Sequence, residues 1–212
     1  MAECFNLTRD HIHVSQGISK LGPAIPSINL PPGITCDPKA GCYKKCYARK
    51  GRFAFGHTKS LLKKNLEIWK EHPEDYEQDA LIASFYARYF RFHSSGDIPD
   101  MDYLAMMARV AENRPNTRFL CFTKKFELIN EMVDKNGISV IPENLRIVLS
   151  AWGSFIPDNP YNFPMAWIRF KKESTYIPED AFECSGYCGE CVQTGHSCWD
   201  LNPGESVVFN EH

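Results

Sequence analysis

The chain has 212 residues and a mass of 24.3 kDa, enough for one well-buried domain, and its 43% hydrophobic and 13% aromatic content exclude a disordered chain. A formal net charge of −2 and a pI near 6.4 exclude a polycation, so any contact with nucleic acid has to come from a local basic patch. No run approaches the roughly 18 apolar residues that a membrane span needs, and the opening MAECFNLTRDHIH lacks a secretory hydrophobic region. A cytoplasmic protein without a membrane partner is expected.

Residues 1–22 carry no clear period. In 24–35 (AIPSINLPPGIT) a short strand, Ser27–Leu30, runs through a Pro-Pro-Gly turn into a loop carrying Cys36, Cys42 and Cys46. In 57–71 (HTKSLLKKNLEIWKE), Leu61, Leu62, Leu66 and Trp69 fall at helical spacing, and His72-Pro73 ends the run. A second helix is predicted over Glu74–Tyr89, and a strand over Tyr89–His93. After a Ser-Ser-Gly turn, Asp100 caps a helix over Met101–Asn113. Then come a strand at Thr117–Thr123, a helix at Lys125–Lys135, and strands at Asn144–Trp152 and Met165–Phe170, the last two separated by the proline-rich break PDNPYNFP (157–164).

This alternation is the pattern of βαβ units and predicts an α/β fold with mostly parallel strands, a partial or compact (β/α) barrel. One domain is expected over 1–212, with a barrel-like core at 24–170 and a Cys-rich metal- or cluster-binding tail at 171–212. Function in such folds gathers where strands end. Three features fall at such ends: the cysteine trio, His93-Ser94-Ser95-Gly96-Asp97, and Thr123-Lys124-Lys125.

Seven of the nine cysteines form two groups, which in a reducing compartment points to metal or cluster ligation rather than disulfides. Cys36, Cys42 and Cys46 are spaced C-x5-C-x3-C. Structural zinc wants four ligands. A [4Fe–4S] cluster takes one cysteine per iron, so three leave one iron open. The alternative is a closed site completed by Cys4, Cys121 or His57. The tail supplies four thiolates, Cys184, Cys188, Cys191 and Cys198, a complete set for an auxiliary [4Fe–4S] cluster or for zinc, with His196 able to replace one. Val207, Val208 and Phe209 are expected to return the tail to the core, bringing the second site near the first. Cys121, among apolar neighbours, reads as a buried core residue.

Other positions have two readings. Asp97 beside Gly96 either accepts hydrogen bonds from a ligand ammonium or only caps a turn. Lys124 either meets an anion or is exposed. From Lys44 to Lys64 there are eight Lys and Arg and no acid, which either offsets thiolate charge, forms a solvated face or contacts nucleic acid.

The ordered segments LPPGITC…GCYKKCYARKG, FRFHSSGDIPDMDYL, FLCFTKK, LRIVLSAWG and CSGYCGECVQTGHSCW…GESVVFNEH resemble the phage gene product 88 family over nearly the whole chain. The resemblance implies a metallo-site rather than a defined reaction. A wider similarity is to radical S-adenosylmethionine iron–sulfur enzymes. It implies that Cys36, Cys42 and Cys46 hold the cluster, that Tyr43 or Tyr47 is the flanking aromatic, and that Ser95-Gly96-Asp97 is the glycine-acid segment holding the cofactor's amino group. The chain departs from that pattern in its spacing, five and three residues between cysteines instead of three and two, and in Asp97 standing for a glutamate. The expectation is therefore a radical S-adenosylmethionine-type iron–sulfur protein acting on a small molecule or a nucleic acid, with an electron donor as partner. The alternative is a non-catalytic module, stabilised by zinc or iron–sulfur, whose basic patch interleaved with Tyr43, Tyr47, Phe53 and Phe55 binds nucleic acid.

Overall fold

In the computed structural model, which describes residues 9–211, the strands form a single eight-stranded sheet. In chain order the elements are β1 (Val14–Ser15), β2 (Ser27–Ile28), α1 (Gly56–Glu71), α2 (Pro73–Ser84), β3 (Tyr89–Phe92), α3 (Met101–Glu112), β4 (Arg118–Thr123), α4 (Phe126–Asn136), β5 (Leu145–Ser150), β6 (Met165–Arg169), β7 (Phe182–Glu183), α5 (Cys188–Thr194) and β8 (Ser206–Asn210). The sheet order is β1-β2-β3-β4-β5-β6-β8-β7. Only the β1–β2 pair is antiparallel. No described helix is long and apolar enough to cross a membrane.

The central strands are buried on both faces, as parallel strands under crossover connections must be. Phe90, Phe92, Phe119, Cys121, Ile147 and Leu149 point to one side, where α1 to α4 cover them with Leu66, Trp69, Tyr76, Met106, Met107 and Ile129. The alternate residues Tyr89, Leu120, Val148 and Ala166 point to the other side, where the tail covers them with Cys188, Cys198, Trp199 and Leu201. The tail is therefore part of the core. β8 lies between β6 and β7, hydrogen-bonded in parallel to both. Trp199, 2% exposed, donates its Nε1–H to the Phe90 carbonyl at 3.2 Å and meets the Tyr89 ring edge-on at 5.6 Å.

The α/β, mostly parallel expectation is met, but the sheet is open: β1 and β7 are its unpaired edges and no closed barrel forms. The second helix also ends at Ser84, five residues before the sequence period suggests. The Ser84 hydroxyl donates back to the Ala80 carbonyl at 2.8 Å, and the Thr117 hydroxyl meets the Ser84 and Ala87 carbonyls at 3.1 and 2.7 Å. With those carbonyls taken, the chain turns and enters β3 in register with Arg118.

Because Trp199 plugs the sheet, Trp199→Ala is expected to destabilise the whole chain by about 3–5 kcal/mol, in one transition followed by circular dichroism in urea. A mutant that frees the tail while the midpoint for the remaining sheet stays put would contradict this packing.

Candidate functional site

A cavity of about 200 Å³ opens at the carboxyl ends of the parallel strands. The loop after β2 brings Cys36, Cys42, Cys46 and Tyr47 to it, and β3 with its following loop brings Arg91, His93, Ser94, Ser95, Gly96 and Asp97. Thr123 and Lys124 come from the end of β4, Ser150 and Trp152 from the end of β5, Trp167 from β6, and Phe209 and Glu211 from β8 and its end. Ligand sites in open parallel sheets lie in this position. Of the residues singled out in the sequence, the trio, Tyr47, Ser95, Gly96, Asp97 and Lys124 meet here. Tyr43 does not line the cavity: it is 46% exposed, with the Arg49 guanidinium 3.7 Å above its ring.

The cysteine loop is a series of short turns. Asp37 starts it, its carboxylate accepting from the Lys39 amide at 2.7 Å, and Pro38 and the left-handed Gly41 shape the first bend. Gly33 has φ +82°, a conformation that favours glycine, and a Cβ there would lie 2.1 Å from the exposed Tyr43 ring. Its amide donates to Cys36 Sγ at 3.3 Å. The Tyr47 hydroxyl donates to the Ser94 carbonyl and so ties the cysteine loop to the loop after β3.

That second loop lies directly on the end of β2. Asn29 Oδ1 accepts from the Ser94 and Ser95 amides at 2.6 and 3.1 Å, and the Ser95 hydroxyl donates to the Leu30 carbonyl at 3.0 Å. Gly96 has φ +80°, and a Cβ on it would stand 2.6 Å from the Leu30 oxygen. Asp97 is 5% exposed. Its Oδ1 accepts from the Thr123 hydroxyl at 2.6 Å and the Ile98 amide at 2.8 Å, and its Oδ2 from the Lys124 amide at 2.9 Å. The carboxylate therefore joins the β3 loop to the end of β4, leaving Oδ2 with capacity for one more donor. Burial pushes its acidity toward the neutral form, and the Thr123, Lys124 and Ile98 donors oppose that.

Burial pushes the Cys36 thiol up to about 11, partly offset by the Gly33 amide, and raises Cys42 against the opposing charge of Lys124. Cation binding here must therefore displace protons, which makes it pH-dependent. Among the described residues, no group of three or more His, Cys, Asp or Glu is arranged as the ligand set of one ion. The residues considered as a fourth ligand are placed elsewhere. Cys121 is fully buried in β4 and, like His57, does not line the cavity; Cys4 lies outside the described residues. Both ring nitrogens of His93 are engaged, Nε2 with the Tyr103 hydroxyl at 3.1 Å and Nδ1 with Cys121 Sγ at 3.8 Å.

The tail cysteines form a separate group on the side of the sheet away from α1 to α4. Cys188 begins α5, its amide donating to the Lys20 carbonyl at 2.8 Å, and Cys184 directly follows β7 residue Glu183. The Gly186 amide meets Cys184 Sγ at 3.4 Å, and the Ser185 hydroxyl meets Cys191 Sγ at 3.1 Å. Burial pushes Cys198 up to about 12 and raises Cys188, which the charge of Arg91 opposes.

The family model described as gene product 88 matches residues 6–181. The chain belongs to the gene product 88 family. It is 24% identical over 190 residues to the Gene 88 protein of Mycobacterium phage L5, a match taking in 80% of this chain and 77% of that protein. No solved structure matches. The gene product 88 match contains the trio and the 93–97 loop and ends before Cys184. Sequence reasoning missed Asn29 and Arg91, and took Ser94 only as part of the 93–97 segment. Asn29, placed inside the expected strand Ser27–Leu30, lies just past β2, which ends at Ile28.

Two tests follow from this geometry. Burial, with the nearby Arg91 charge, holds the His93 imidazole down to about 3. The unfolded chain takes up that proton near pH 6.5, so this stabilisation is complete above that value and falls away toward pH 3, by at most about 1.4 kcal/mol per pH unit. His93→Asn, which tolerates the native φ of +62°, is expected to flatten the loss of urea stability between pH 6 and 4; an unchanged slope contradicts the buried neutral imidazole. Gly96→Ala is expected to cost at least about 1 kcal/mol from its positive φ alone, more with the Leu30 clash, and a wild-type melting temperature would contradict the close approach.

Proposed function

We propose that this protein is an iron–sulfur protein of the radical S-adenosylmethionine type, built on a partial barrel. In this reading Cys36, Cys42 and Cys46 hold a [4Fe–4S] cluster with one iron lacking a protein ligand. When bound, that group supplies one-electron reductive cleavage of a sulfonium. The observation that carries the reading is that the three thiols of one loop share a cavity in which the described histidine and carboxylates are already engaged.

The donor set suits a cluster better than a single ion. The thiols come without a converging fourth ligand, and a cluster separates its thiolates over different irons. An amide is aimed at Cys36 Sγ, and hydrogen bonds to sulfur are among the features that set cluster potentials. Lys45 and Lys124 bring positive charge to the same walls. The remaining Oδ2 capacity of Asp97 fits a ligand ammonium, while Gly96 lets the backbone lie close. Cys184, Cys188, Cys191 and Cys198 would hold an auxiliary [4Fe–4S] cluster; to hold zinc instead they would have to draw together, because they are not arranged as the ligand set of one ion.

A second reading, a nucleic-acid-binding module, draws on Tyr43, Tyr47 and Phe55, which are 46, 43 and 62% exposed among the basic residues of 44–64. Its mark would be salt-dependent binding of single strands.

Electron paramagnetic resonance of the reduced, anaerobically purified protein tests the first reading. The signal is expected to change on adding S-adenosylmethionine; a cluster signal that does not respond, or zinc as the sole metal, would end the enzyme reading. Cys46→Ala is expected to remove about half of the iron if both groups hold clusters of equal size, and unchanged iron would place no cluster on the trio.

A further inference from the structure

Arg91 lies on β3 with its side chain on the side away from α1 to α4, 7% exposed, its guanidinium 4.6 Å from the centre of the Phe122 ring. Its Nε is buried and has no hydrogen-bond partner among the described residues, and no described carboxylate forms an ion pair with it. Ser94, 6% exposed, has a buried Oγ in the same condition. Both line the cavity.

A buried guanidinium without a counter-charge opposes folding, and a hydroxyl without a partner adds to the cost. Chains retain such costs where a ligand offsets them. The acids of the cavity do not serve: Asp97 is bound to Thr123, Ile98 and Lys124, and Glu211 is paired with Lys45 at 2.9 Å. Cys188 and Cys198 feel the charge of Arg91 but do not line the cavity.

We propose that Arg91 and Ser94 receive the oxyanion group, carboxylate or phosphate, of a small ligand whose flat apolar body lies against Phe122, Phe209 and Trp167. This rests on the cavity being the functional site and not on which metal the cysteines carry. The planar fork of Arg91 matches either oxyanion with two parallel hydrogen bonds, and the Ser94 hydroxyl adds a donor. Lys20, 4.4 Å from the Phe209 ring centre, and Lys124 bring further positive charge to the same space.

The test uses the full chain purified anaerobically with its metals, and reads melting temperature and calorimetric binding with phenyl phosphate, phenylacetate, inorganic phosphate and acetate. At equal concentration the two aromatic anions are expected to raise the melting temperature more than the two simple ones, and the preferred head group identifies the oxyanion. Arg91→Met is expected to abolish the rise and, without probe, to melt no lower than wild type, since it removes an unpaired buried charge. Arg91→Lys guards against a misfolded Met variant and is expected to bind at least tenfold more weakly, and Ser94→Ala several-fold more weakly. No response of the wild-type protein to any probe overturns the proposal. So does an Arg91→Met protein that loses metal while still binding the probes, which would make Arg91 a counter-charge for the tail cysteines. A resonance signal unresponsive to S-adenosylmethionine would end the radical reading and leave this one intact.

Discussion

The close approach of the 93–97 loop to the end of β2 is the contact on which the rest of the site depends. It exists because Gly96 has no side chain to strike the Leu30 carbonyl and because the Asn29 side chain takes up the Ser94 and Ser95 amides. Leu30 leads directly into the cysteine loop. The same few residues therefore fix where Cys36, Cys42 and Cys46 sit relative to Asp97, and Asp97 in turn carries the tie onward to Thr123 and Lys124. Three consecutive strand ends are joined by side-chain and amide hydrogen bonds that are almost entirely buried. Geometry held this way needs no ligand to assemble it.

The other organising feature is the tail. An open parallel sheet has two apolar faces, and the four crossover helices cover only one. Trp199, Leu201 and the two buried tail cysteines cover the other, and Arg91, which lines the cavity, acts electrostatically on Cys188 and Cys198. β8 is an interior strand, yet it lies beyond the part of the chain that the gene product 88 match covers. Whatever the tail cysteines hold, disturbing them disturbs the sheet.

Much of this was legible in the sequence because the period of the apolar residues changed cleanly from helix to strand. The helix carrying Leu62, Leu66 and Trp69, the strand FLCFT and the strand RIVLS all lie where that period puts them. Local pattern does not encode what other segments do, and the misses follow from that. The second helix stops at Ser84, where Thr117, far along the chain, takes the Ser84 carbonyl and the Ala87 carbonyl beyond it. The repeated βαβ units suggested a partial or compact barrel; the described sheet is mostly parallel and open, with β1 paired antiparallel at one edge and the two-residue β7 at the other. Arg91 is not singled out in YFRFH; it is buried on the face that the tail covers, against Phe122. Tyr43 and Tyr47 are equivalent by spacing, and only the fold separates the one stacked under Arg49 from the one bonded to Ser94.

The central claim is that the trio is complete with three thiolates, one iron being left for a ligand other than protein. Mössbauer spectroscopy of protein enriched in the iron isotope it detects tests this most directly, because an iron lacking a cysteine is distinct from its neighbours. The account predicts one such iron per chain, with a signal that moves when S-adenosylmethionine is added and is lost in Cys46→Ala. Irons that are all thiolate-bound and unmoved by the addition, or a protein that carries no iron, would contradict it.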